Sequence, residues 1–252
     1  MLTTDGRAAS YEALCALPVS DASVIASIER DLVRTFAGQS TALNTDATAK
    51  TSLKRVLLAH AVRNTQIGYS QGLNHVAGFF FCVPGIDEED CFWLLCALTE
   101  RLCRGYYEPA MPGLCRDFRV IRELVHVRMP DVLRHMDIIG APLGAIVTGS
   151  WLSHFVLHVP SHTLLRLLDV SLWMGSSALM IAVLALMRLR KEEILRASSL
   201  AEIKEIWQEF ELRCYDADAL LRAMHWEWEA LDTGSGAHET IASFRAKHTR
   251  VS

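Results

Sequence analysis

Two short stretches of this sequence carry side chains suited to handling a phosphate group and a water molecule: Ile25 to Phe36 and Ile67 to Phe81. In the first, at about 100° per residue, Ile25, Ile28, Leu32 and Phe36 fall within an arc of roughly 80°, and Arg34 lies nearly opposite. Arg34 therefore points away from the core, and Asp31, three residues earlier, can pair with its guanidinium and orient it. Taken alone, this segment reads as the solvated Asp/Arg pair of an ordinary amphipathic helix. In the second stretch Tyr69, Gln71 and Asn74 stand among Gly68 and Gly72 and open directly onto an apolar run. A loop-to-helix junction of this kind presents free backbone N–H groups and a side-chain amide, which suits holding a phosphate or a water.

The elements that must position these residues are helical. Apolar residues recur at helical spacing, and strand-like alternation is almost absent. The pattern predicts helices at roughly 21–37, 49–64, 71–82, 87–104, 114–127, 130–138, 142–148, 150–157, 161–173, 176–190, 200–213 and 216–231. Prolines agree with these limits, since Pro130 and Pro142 open helices and Pro84, Pro109, Pro112 and Pro160 fall between them. The Ser/Thr/Ala/Asn-rich run Gly38 to Thr48 predicts a surface excursion. The segment after Leu231 predicts a hinge into a polar, fraying end. The fold class expected is all-α, with one multi-helix domain over 1–232 and a tail over 233–252.

Composition narrows the function. The chain has 252 residues, 51% hydrophobic and 21% charged, with 25 Lys+Arg against 29 Asp+Glu. No global basic field is available to draw a nucleic acid or an anionic membrane. The seven cysteines form no C-x-x-C, and most sit in apolar runs. That reads as buried thiols in a reducing, cytoplasmic compartment. The apolar stretch Ala178 to Met187 is about half the length that spanning a bilayer needs, so a buried core helix is expected and no transmembrane segment. His154, His158 and His162 are spaced four apart, but Pro160 interrupts them and no metal site is expected. Trp207, Trp226, Trp228 and Phe210 are expected in the core, and Asp87 to Asp90 at a helix N-terminus. There is no G-x-x-x-x-G-K-[ST] and no G-x-G-x-x-G, so no nucleotide site of its own is expected.

The two stretches together resemble the TBC domain of Rab GTPase-activating proteins. Ile28, Asp31 and Arg34 match the fingerprint I-x-x-D-x-x-R, followed by Thr35-Phe36, and Tyr69, Gln71 and Gly72 match Y-x-Q-G, extended by Leu73-Asn74. Later landmarks look similar: Phe92-Trp93, Gly105-Tyr106-Tyr107, Trp151 to Phe155, Pro160, and Arg166-Leu167-Leu168-Asp169. That last landmark lacks the tryptophan of the family's R-I-W-D, and Ser70 stands where cysteine is common. Family domains also carry a further helix or two before the first fingerprint, for which little chain is available here.

The resemblance implies a GTPase-activating protein for a Rab-type small GTPase in its GTP state. Arg34 would be an arginine finger and Gln71 a glutamine finger, both supplied in trans. Asp31, Tyr69, Gly72 and Asn74 would hold them or contact the GTPase. GTP and Mg²⁺ would come with the partner, so the chain needs no cofactor of its own. It would lie peripheral to endomembranes through that partner. The alternatives are a TBC-like adaptor that binds a GTPase or another partner without catalysis, and a helical scaffold unrelated to GTPases.

Overall fold

The structure is a computed structural model, and it describes residues 10–36, 47–232, 234 and 236–249. Among the described residues all regular structure is helical. Most of the predicted surface excursion at Gly38 to Thr48 lies outside them. The chain divides into two compact units, Met1–Met111 and Pro112–Ser252.

The first unit holds α1 (Tyr11–Cys15), α2 (Ala22–Arg34), α3 (Ala47–Arg63), α4 (Leu73–Phe81), α5 (Glu88–Ala97) and a single π-helical turn, Leu98–Leu102. Helix α3 packs against α1, α2, α4 and α5, and its Leu53, Val56 and Leu57 are fully buried among them. Polar groups fix the ends. Asp21 caps α2 by accepting from the Ser23 N–H at 2.8 Å, and Asp87 and Asp90 form a reciprocal capping box on α5. Glu88 accepts from Arg55 of α3 and from the Tyr11 hydroxyl of α1. The Arg55 guanidinium holds its carboxyl down at about 2.

The expected helix 87–104 changes character after Ala97. Thr99 Oγ1 turns back to donate to the Leu95 carbonyl at 3.0 Å and meets His60 Nε2 at 2.9 Å. The wider turn aims Glu100 at Arg63 (2.6 and 3.0 Å) and at Asn64 (3.0 Å). A π-turn is the element that re-aims side chains this way within a helix.

The second unit comprises α6 (Pro112–Arg128), α7 (Pro130–Ile138), α8 (Leu143–Leu152), α9 (Ser161–Met174), α10 (Ser177–Leu189), α11 (Lys191–Arg196), α12 (Leu200–Leu212), α13 (Ala217–Glu229) and α14 (Ala237–Thr249). Helix α10 is its axis. Every residue from Ser177 to Met187 is buried, against α6, α9, α11 and α13, as expected for an apolar helix too short to span a bilayer. No helix of the described residues is long and apolar enough to cross a membrane.

Several expectations are corrected here. The two helices expected at 142–148 and 150–157 are one, α8, followed by an irregular turn in which His154, Phe155 and Leu157 take positive φ of 52°, 60° and 68°. The Phe155 N–H reaches the Ser150 carbonyl at 2.6 Å, which winds the chain off the helix before Pro160. His154, His158 and His162 consequently do not share a face. His154 is buried, His158 Nδ1 meets Glu211 at 3.0 Å, and His162 meets the Tyr215 carbonyl. The expected fraying tail instead forms α14, clasped to α6 by Arg245, which donates to the buried Asp117 at 3.1 and 2.8 Å. Trp207 is core, but Trp226 is 52% exposed. The Arg128 and Arg188 guanidinia lie over its ring, and both donate to the fully buried Glu227 at 2.8 Å. All seven cysteines are free thiols. Cys91, Cys96, Cys103 and Cys214 are buried, whereas Cys115 is exposed.

The buried histidines set an acid limit on stability. Burial pushes His60 and His154 from 6.5 down to about 4. Each is neutral in the native state, while the unfolded chain takes up a proton below pH 6.5. Stability therefore falls as pH drops from 6.5 towards 4, by on the order of 1–2 kcal/mol per histidine at pH 5. Glu88, held down at about 2, loses its contribution only below its ordinary 4.5 and lies outside that window. Urea midpoints measured at pH 7.5, 6.5 and 5 should fall slightly between the first two, because the unfolded histidines are half protonated at 6.5, and more steeply between the second and third. A midpoint constant to pH 5 would contradict the assignment.

Candidate functional site

The two stretches singled out in the sequence come together in the first unit. Helix α2 ends at Arg34 because Thr35 turns to extended backbone, ψ 115°, and Phe36 then takes a positive φ of 51° with its ring buried edge-on to His75. The exposed face of the last turn of α2 thus delivers Arg34, whose side chain is 52% exposed, beside Asp31, whose side chain is 6% exposed. Arg34 Nη2 donates to Asp31 Oδ1 at 2.5 Å. No other donor of the guanidinium is bonded among the described residues, so the rest of the fork faces outward.

Asp31 also anchors the second stretch. The Tyr69 hydroxyl donates to Asp31 Oδ2 at 2.7 Å and lies 3.1 Å from Asn74 Oδ1. Burial, then the Asp31 carboxylate, pushes the phenol well above its ordinary range, so it remains a donor throughout physiological pH. Asn74 is buried and uses Oδ1 to accept the Gly72 N–H at 3.2 Å, while its Nδ2 donates to Thr35 Oγ1 at 2.8 Å. Gly72 has φ 106° and open space where a Cβ would stand, so glycine is required by the backbone conformation and not by crowding. The residue before it, Gln71, is exposed and forms no hydrogen bond among the described residues.

One expectation for this junction holds only in part. Two of the amides foreseen as free are spent internally: the Gly72 N–H on Asn74 and the Leu73 N–H on the Ser70 carbonyl at 3.2 Å. What the site offers outward is side chains, a guanidinium and a carboxamide, set on one hydrogen-bonded platform. Asp31, Tyr69, Gly72 and Asn74 all belong to that platform. Thr35 belongs to it too and had not been singled out as a site residue. The signal available was a hydroxyl directly after Arg34 at a helix end, where carbonyls lack intrahelical partners. The later sequence landmarks are packing residues: Phe92, Tyr106, Trp151 and Phe155 are fully buried. Arg166 and Asp169 are exposed, and Arg166 lies 3.6 Å from Asp218.

Known proteins match this chain over most of its length. The model of the Rab-GTPase-TBC domain matches residues 16–195. Growth hormone-regulated TBC protein 1 of Rattus norvegicus is 37% identical over 174 residues, covering 69% of this chain and 60% of that protein. Its Homo sapiens counterpart is 36% identical over 178 residues, covering 70% and 53%. Small G protein signaling modulator 3 of Bos taurus is 30% identical over 214 residues, covering 84% and 28%. The chain thus spans three fifths or less of the length of these relatives. Among solved structures, the Chlamydomonas flagellar RabGAP TBC domain superposes with a TM-score of 0.74 at 24% identity, covering 87% of this chain and 73% of that one. The Ypt/Rab-GAP domain of Gyp1p gives 0.74 at 18%, covering 88% and 79%. At these identities the structural likeness is one of fold.

Proposed function

Because the chain belongs to the Rab-GTPase-TBC domain family, we propose that it stimulates GTP hydrolysis by a Rab-type small GTPase, with Arg34 and Gln71 entering the partner's nucleotide site. The observation that carries this reading is that one half-buried network, Asp31–Tyr69–Asn74–Gly72, holds two exposed side chains of the required chemistry. Phosphoryl transfer from GTP builds negative charge on the γ-phosphoryl oxygens and needs an in-line water. Arg34 supplies a fixed positive fork to that charge. Gln71 supplies a carbonyl that accepts from the water and an amide that donates to a phosphate oxygen. Neither role requires a proton to leave the chain, which suits a site whose exposed groups include no histidine or free carboxylate in the network.

In this reading the partner, in its GTP state, brings the nucleotide and Mg²⁺. Chemistry then takes place at whichever membrane holds that partner. The testing experiment is phosphate release from a panel of GTP-loaded Rab proteins, with and without this chain. At least one Rab should hydrolyse GTP on the order of 10³ or more faster with the chain present. Binding to a GTP-loaded Rab without acceleration of any panel member would favour the adaptor.

A further inference from the structure

The two exposed side chains are tied not by one route but by two, and the second runs through Thr35. Thr35 is 1% exposed. Its Oγ1 donates to the Asp31 carbonyl at 2.8 Å, one of the carbonyls that α2 leaves unpaired at its end. The hydroxyl has one proton, and that bond commits it. Oγ1 can therefore only accept from Asn74, and at 2.8 Å it does so from Nδ2. This fixes which way round the Asn74 amide sits: Nδ2 towards α2, Oδ1 towards the Gly72 N–H and the Tyr69 hydroxyl. Three of the four capacities of the Asn74 amide are then filled, the third by a weaker approach to the Asp31 carbonyl at 3.5 Å, while the Tyr69 hydroxyl, whose one proton goes to Asp31, lies beside Oδ1 without donating to it.

We propose that Thr35 is a positioning residue that couples Arg34 to Gln71: its hydroxyl, one residue beyond Arg34, sets the Asn74 amide that fixes the backbone one residue beyond Gln71. The proposal rests on the function proposed above for what the coupling achieves, but the coupling itself is a property of the free chain. Losing the hydroxyl would leave Nδ2 with only the 3.5 Å contact. A buried donor in that position costs enough to favour reorientation of the amide, and the Gly72 N–H would lose its acceptor. A small misplacement of Gln71 would then slow the chemical step, because that step depends on near-attack geometry far more than initial binding does.

The test compares Thr35→Val, which keeps shape and burial, with Thr35→Ser, which keeps the hydroxyl. Three quantities are read: kcat and KM of the stimulated hydrolysis of a responsive Rab, and amide hydrogen exchange at Gly72 in the free chain. In Thr35→Val, kcat should fall about 10-fold with KM within about twofold of wild type, and Gly72 should exchange about 10-fold faster. Thr35→Ser should stay within about twofold on all three. Failure of the functional reading would appear in the wild-type reaction, as no stimulation of any Rab, while the exchange measurement still decides the role of Thr35. Unchanged Gly72 exchange in Thr35→Val would overturn the proposal. So would an equal loss in Thr35→Ser, or a rise in KM matching the loss of kcat.

Discussion

Replacing Arg34 with lysine is expected to lower stimulated hydrolysis by on the order of 10³, close to the effect of replacing it with alanine. The comparison is informative because of Asp31. Alanine would leave the buried Asp31 carboxylate with the Tyr69 hydroxyl but without its cation, so part of any loss could come from a disturbed platform. Lysine keeps a positive charge that can pair with Asp31, but it lacks the planar fork that can bond Asp31 and a phosphate oxygen at once. Both variants should remain folded, since the guanidinium lies on the exposed face of α2 and the helix is held by Ile28 and Leu32. Initial rates on one responsive Rab, with circular dichroism as the folding control, check this. Near wild-type stimulation by either variant would remove Arg34 from the mechanism.

Gln71 makes the second large prediction. A glutamine exposed and unbonded among the described residues, one residue before a glycine fixed at φ 106°, is held by its backbone and not by its side chain. Its carboxamide is therefore available to a partner. If it positions the attacking water, a Rab whose own switch glutamine is replaced should still be stimulated to within about tenfold of normal. Gln71→Ala should then lower stimulation by on the order of 10² on either Rab. An activator that supplies only arginine would fail on the substituted Rab. Loss of stimulation there with wild-type chain, while the complex still forms, would exclude this role.

The exposure of Arg34 and of Gln71 was legible in the sequence from a local frame, whereas their pairing as a candidate site came from the resemblance to the two TBC fingerprints. For Arg34 the frame is the angle to an apolar stripe, for Gln71 a glycine-flanked helix start. The helices were legible for the related reason that burial imposes its period on the sequence. Features that depend on a single hydrogen bond were not. Thr35 resembles any helix-end threonine until Asn74, 39 residues away, is seen to donate to it. The Gly72 amide looked available because nothing in the sequence shows the Asn74 side-chain carbonyl folding back onto it. The π-turn at Leu98–Leu102 and the positive-φ turn after α8 preserve apolar content while changing the winding, so periodicity passes over both. Helix α14 carries a mostly polar sequence and is secured by an ion pair with Asp117, 128 residues away. Trp226 read as core because tryptophan usually is, yet here its ring serves as a platform for two arginines.

The central claim, that Arg34 and Gln71 complete a transition-state site in a partner GTPase, is tested most directly by which nucleotide state the chain binds best. Catalytic contacts are strongest in the transition state, so affinity should be measured for one Rab loaded with a non-hydrolysable GTP analogue, with GDP, and with GDP plus aluminium fluoride. The account predicts the tightest binding by far with the planar phosphoryl mimic, and loss of that gain in the Arg34→Ala, Gln71→Ala double variant while the analogue is still bound. Equal affinity for the analogue and the mimic, or a gain that survives in the double variant, would contradict it and leave a chain that binds its GTPase without acting on it.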